Sequence, residues 1–146
     1  MEPSRGSRRR RALRGAVVAG VVVLGSACSD SSVDAPATWT VRAAHQIGPG
    51  TTSFTALVSR LGCNNGVTGQ VHEPAVSVED EKVVVTFAVD PITTDASCPD
   101  NDVVPYEVVL PKPLGDRSLV DGQCESDSDA SHTPLCRPDA VRYSPN

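Results

Sequence analysis

The stretch AVSVEDEKVVVTFAV, residues 75–89, carries two apolar alternations separated by a polar tetrad. Val76 and Val78 lie two apart, and Val83, Val85, Phe87 and Val89 repeat at the same interval, with Glu79, Asp80, Glu81 and Lys82 between the runs. A period of two places each set of side chains on one face of an extended chain, so the segment predicts a β-hairpin with a charged tip. β-Branched valines suit such a pleated, half-buried surface.

Outward from the hairpin the same period recurs. Trp39 and Val41 alternate, and Val103 to Leu110 and Arg117 to Val120 read as two more strands. Pro111 and Pro113, between these last two, forbid central pairing there. Gly48-Pro49-Gly50, Asn64-Asn65-Gly66 and Asp121-Gly122 are turn signals. One segment carries both periods: Phe54, Leu57, Val58 and Leu61 are spaced as on a helix, whereas Phe54, Ala56 and Val58 alternate. Its Thr, Ser and Val content and its place among strands favour a strand. Six or seven short strands in roughly 90 residues, with no helical spacers and no internal repeat, predict an all-β fold: a single small antiparallel β-sandwich of immunoglobulin-like kind.

The N-terminus follows different rules. Six arginines (Arg5, Arg8, Arg9, Arg10, Arg11 and Arg14) precede the uncharged run Ala16 to Ala27, 12 residues long. About 20 apolar residues are needed to cross a bilayer, so the run reads as the h-region of a cleaved export signal. Its ending, Leu24-Gly25-Ser26-Ala27-Cys28, resembles a bacterial lipobox, with Leu24 one place further from the cysteine than in the strongest form of that motif. The expected product begins at Cys28, which carries lipid and holds the protein to the membrane; cleavage by an ordinary signal peptidase after Ala27 would instead leave a free thiol. Arg10-Arg11-Ala12-Leu13 faintly resembles a twin-arginine signal. The expected layout is a signal peptide at 1–27, a lipid-anchored flexible tether at 28–37, the β-sandwich domain at 38–123 and a disulfide-closed polar tail at 124–146.

The leader takes six of the 13 basic residues and one of the 18 acidic ones, leaving seven against 17, a formal net charge of −10. Binding to nucleic acid needs clustered Lys and Arg, and the mature part has only Lys82, Lys112 and five scattered arginines, which excludes it. An acidic, solvated surface suits a soluble monomer. Cys63, Cys98, Cys124 and Cys136 form an even set in a small exported domain, the usual mark of two disulfides. Three connectivities are possible; Cys63–Cys98 with Cys124–Cys136 is favoured, because the second pair closes a short polar loop and the first joins turns flanking the hairpin. No C-x-x-C motif and no zinc-type spacing supports thiol catalysis or a metal.

Other residues could carry chemistry. His45, His72 and His132 are available to a hydrolytic triad, but no G-x-S-x-G elbow frames a serine, and each reads as a surface residue near a strand end. Glu125, Asp127 and Asp129 alternate as in the first half of an EF-hand loop. Ala130 stands where glycine is needed and Cys136 where glutamate is, so a solvated loop is the better account. Asp80 with Glu81, and Asp100 with Asp102, lie in predicted turns, where such residues serve local bonds.

Leu61-Gly62-Cys63-Asn64-Asn65-Gly66, Val83 to Phe87, Ser97-Cys98-Pro99-Asp100-Asn101 and Pro113 to Gly122 resemble the pattern of a group of small exported actinobacterial proteins: C-x-x-G, V-V-V-T, C-P-x-N and P-L-G-x-R-x-L-x-D-G. The resemblance spans residues 53–122. It implies the Cys63–Cys98 pairing and a β fold, and it brings no activity with it. The expected function is therefore a non-enzymatic binding or interaction module, without cofactor, displayed at the outer face of the cytoplasmic membrane and recognising an envelope component or a protein partner. The alternative is an accessory or enzymatic protein of envelope metabolism. A concave pocket holding a histidine beside a carboxylate would favour the alternative.

Overall fold

A computed structural model describes residues 33–92, 95–125, 129–136 and 139–145. The leader, the lipidation site Cys28 and most of the tether lie outside the described residues. Seven strands form one sheet: β1 Ala35–Val41, β2 Ser53–Arg60, β3 Ala75–Val78, β4 Lys82–Val89, β5 Val104–Val109, β6 Ser118–Asp121 and β7 Val141–Tyr143. A single helical turn, α1 Gly122–Glu125, follows β6. The sheet order is β5-β2-β1-β4-β6-β7, with β3 paired to β4.

The hairpin of β3 and β4 forms as the alternation dictates, with Val76 opposite Val85 and Val78 opposite Val83. In β4 and in β2 every second residue is buried. The segment that carried both periods is thus the strand β2, its inward set being Phe54, Ala56, Val58 and Arg60. Phe54, Ala56 and Val58 join the inward residues of β4 and Ala37, Trp39, Val108, Leu110, Leu114 and Leu119 in one core, beside which Arg60 is a buried polar residue. Three strand steps separate β5 from β4, about 14 Å in a flat sheet. Yet the Tyr106 and Phe87 ring centroids are 5.4 Å apart, so the sheet curls until those faces meet.

β5 is an edge strand and tolerates Pro105 there. The Leu110 N–H donates to the Thr52 carbonyl. Alternation along an antiparallel ladder then turns the even-numbered N–H groups of β5 to β2 and the odd-numbered positions, Pro105 among them, to the open edge.

Three features correct the sequence reading. First, the sheet is mixed instead of antiparallel: β6 runs parallel to β4, with Val83 beside Leu119 and Val85 beside Asp121. Periodicity assigns faces and carries no strand direction, and the long crossover from β4 through β5 to β6 is what a parallel pair requires. Second, β1 starts at Ala35, inside the run expected to be tether, because Ala35 to Ala37 pair with Val89 to Phe87. Third, Val141–Tyr143, read as part of a polar tail, adds a strand to β6.

The parallel strand creates a fork. Along one edge β4 pairs with β1 at residues 87–89 and with β6 at residues 82–85. Beyond Ala37, β1 must leave β4 to make room, which strips its backbone of ladder partners on that side, while its ladder with β2 continues to Val41. Side chains replace them. The Trp39 N–H donates to Asp121 Oδ2 at 3.1 Å, the Trp39 indole N–H donates to the Val85 carbonyl at 2.9 Å, and Gln123 Nε2 donates to the Phe87 carbonyl at 3.0 Å. Gly122 passes so close to β4 that a Cβ there would stand 1.9 Å from Thr86 Oγ1, so no larger residue fits.

Candidate functional site

On the outer face of β1 and β2 lies an open groove of about 700 Å³, within the range of small-molecule sites. Its floor comes from Thr38 and Thr40 of β1 and Leu57 and Ser59 of β2. These stand in register as Thr38 opposite Ser59 and Thr40 opposite Leu57. Because β strands alternate, the residues that leave the core side free are the ones that build this floor.

Each bank of the groove carries a loop held by a disulfide. One is Cys63–Cys98 with Pro99 to Asn101 and Val103; the other is Pro134 and Leu135, inside the loop closed by Cys124–Cys136. Both bridges are those favoured from the sequence. Around the first, Asn65 adopts a left-handed φ of 57°, and its Oδ1 accepts from the N–H and the hydroxyl of Ser97 at 2.8 Å each. Asn101 Nδ2 donates to the Gly62 carbonyl at 2.7 Å and the Arg60 carbonyl at 3.2 Å. The bank is therefore fixed by one covalent link and several hydrogen bonds. At the lips Val103 is 55% exposed and Leu135 52%, so the two banks leave apolar surface open to water on either side of the floor.

Among the described residues the groove carries little charge. Among its lining residues only Arg60 and Asp100 are ionisable apart from the bridged cysteines, and Arg60 is buried, with Nε donating to the Thr68 carbonyl at 3.1 Å and Nη2 to the Asp90 carbonyl. No histidine lines it.

A second polar cluster lies at the fork, and its chemistry is structural. Asp121, fully buried, accepts from Arg142 Nη2 at 2.9 Å as well as from the Trp39 N–H, and its Oδ1 accepts from the Gln123 N–H at 3.0 Å. Burial pushes its carboxyl above the usual carboxylate value, against the pull of Arg142 and these N–H donors. Arg142 reaches on to the Leu135 carbonyl at 3.1 Å and to Cys124 Sγ at 3.1 Å. The fork thereby positions the disulfide loop that forms one bank. Sequence reading placed Asp121 in a turn; its inward position follows from Leu119, two residues earlier on the same face.

The remaining sequence candidates are dispersed. Asp80 and Glu81 sit exposed at the hairpin tip, and Asp102 Oδ1 accepts from the Thr68 N–H at 2.6 Å, a fold-holding bond. Glu125 pairs with Lys82 Nζ at 2.6 Å, a bond that holds the lysine pKa above its ordinary value. Asp127 and the side chain of Asp129 lie outside the described residues. Among the described residues no group of three His, Cys, Asp or Glu side chains could hold a metal ion. His45 and His132 are exposed. His72 alone meets carboxylates, Asp34 and Asp90, and it does so away from the groove.

No family model, no curated protein and no solved structure matches the chain.

Proposed function

We propose that this chain is an exported lipoprotein, anchored through Cys28, whose β domain is a non-enzymatic binding module for an uncharged, largely aliphatic ligand held in the groove between the two disulfide loops. The observation that carries the reading is the groove itself: ligand-sized, apolar at its lips, braced on both banks, and supplied with the hydroxyls of Thr38, Thr40 and Ser59 in place of charges. An ionic ligand would meet only the exposed Asp100 and the buried, carbonyl-bonded Arg60 among the described lining residues, so its desolvation would be poorly offset. An aliphatic chain gains about 25 cal/mol for each Å² of apolar surface it covers. Two disulfides suit an oxidising compartment and so support the export reading. The absence of any histidine from the groove lining favours a binding module over the envelope-metabolism alternative.

We take the two ladders that share β4 as the two layers of a sandwich akin to the immunoglobulin arrangement, altered by the parallel β6. The exported actinobacterial group remains the relationship we favour, on its motifs alone.

The binding reading is tested with the only tryptophan, Trp39, which borders the groove. Titration with a medium-chain primary alcohol should change its fluorescence saturably, and the medium-chain carboxylate of equal length should bind more weakly at neutral pH. Equal responses to both, or a linear response to either, would overturn the ligand class. Anchoring is tested by Cys28→Ala: labelling with a fatty-acid analogue and membrane retention should both be lost, and their survival would refute it.

A further inference from the structure

The chain enters the domain past a histidine bridged by two carboxylates. Asp34 immediately precedes β1, Asp90 immediately follows β4, and His72 lies between them, with Nδ1 3.2 Å from Asp34 Oδ2 and Nε2 2.7 Å from Asp90 Oδ1. A neutral imidazole carries one N–H and can satisfy only one of the two; its other nitrogen would turn a lone pair on a carboxylate. Only the imidazolium donates to both. The bond to Asp90, followed by that to Asp34 and the charges of both, holds the His72 pKa above its ordinary 6.5 in spite of partial desolvation.

The two carboxylates are not equivalent. Asp90 is fastened by its own backbone, its N–H donating to the Gln70 carbonyl and its carbonyl accepting from Arg60 Nη2. His72 is likewise fastened, its N–H donating to the Ala88 carbonyl, beside the Val71–Val89 bridge. Asp34 has the longer of the two imidazole contacts and is exposed, and Val33 before it is 83% exposed. Among the described residues the ionisable side chains that act on His72 are Asp34, from the run into β1, and Asp90, from the end of β4; Arg60 of β2 meets the Asp90 carbonyl and not the imidazole.

We infer that His72 is a pH-operated clasp on the neck of the domain: protonated, it pins Asp34 to the fixed Asp90 end of β4, and on losing its proton it releases the chain at residues 33–34. The sign follows from the raised pKa. The clasp is closed at and below the ordinary histidine value and opens as pH rises through the raised one. If the chain is anchored through Cys28 as proposed above, release adds residues 33–34 to the stretch between anchor and domain, so the reach of the domain from its anchor becomes a function of local pH. The clasp itself stands apart from the groove and its ligand.

NMR titration of the full chain tests it. The His72 ring should titrate above 6.5. Asp34→Asn and Asp90→Asn should each lower that midpoint, and Asp90→Asn should lower it more. Protection of the Asp34 and Ala35 amides from exchange, corrected for the intrinsic pH dependence, should fall across the His72 midpoint in the wild type and be low at every pH in Asp34→Asn. Asp34→Asn alters an exposed side chain and leaves the core untouched, so loss of folding does not cloud it. A His72 midpoint at or below 6.5, a midpoint indifferent to Asp34→Asn, or amide protection independent of pH would overturn the clasp.

Discussion

β1 serves two regions of opposite chemistry. Where it forks from β4, its backbone on that side would be buried without partners, and the fold answers with a hydrogen bond to Asp121, hydrogen bonds from Gln123 and the Trp39 indole, and the ion pair of Asp121 with Arg142 Nη2. A few residues of the same strand, Thr38 and Thr40, face the groove, where apolar lips at Val103 and Leu135 stay open to water. A buried polar group that is satisfied explains itself as structure; an apolar concavity left uncovered does not, and it is the better guide to function. Disulfides and buried charges in this domain hold the fork and the banks, and what they hold in place is the groove.

The comparison is broken most severely at the fork. Asp121→Ala leaves the Trp39 N–H and the Arg142 guanidinium buried without their acceptor, and we expect a loss of about 3–5 kcal/mol in denaturant unfolding. Asp121→Asn keeps an acceptor for Trp39 and should cost clearly less. If both variants unfold like the wild type, the fork does not depend on this network.

The bridges come next. In the chain-entropy description the Cys63–Cys98 link, 35 residues apart, is worth about 4 kcal/mol, and Cys124–Cys136, 12 residues apart, about 3 kcal/mol. Paired serine replacements measured by thermal unfolding should keep that order. Either pair should also weaken alcohol binding, because each loosens one bank. A reversed order would indicate that the fork network, through Arg142, supports the shorter loop more strongly than its covalent link.

The groove should show the complementary pattern. Leu57→Asp places a charge on its half-buried floor and should abolish ligand binding while costing less stability than Asp121→Ala. The smallest expected effect is none: millimolar calcium should leave the melting temperature where it was, since Glu125 is already engaged by Lys82. Cation binding to the native state at a hundredfold excess over Kd would add about 2.7 kcal/mol. A rise of several degrees abolished by Asp127→Asn with Asp129→Asn would establish a cation site.

Much of the fold could be read in advance because alternation is a local signal. Val83 to Val89 and Phe54 to Val58 announce their strands and inward faces without knowledge of any neighbour. What escaped was non-local. The direction of β6 beside β4 depends on the crossover between them, and Val141–Tyr143 is too short and too polar to declare itself before β6 offers an edge. The groove was invisible for the same reason. Its floor is the outward face of two strands, and its banks come from residues 98–103 and 133–135, so no contiguous motif marks it. Only the cysteines hinted at it, and they pointed to the banks without revealing what lay between.

The most direct test of the groove is residue by residue. Amide and methyl chemical shifts recorded while the protein is titrated with a medium-chain primary alcohol should move at Leu57, Leu61, Val103 and Leu135 and remain still at the hairpin tip and around His72. Shifts centred on any other surface, or spread evenly over the domain, would contradict the account.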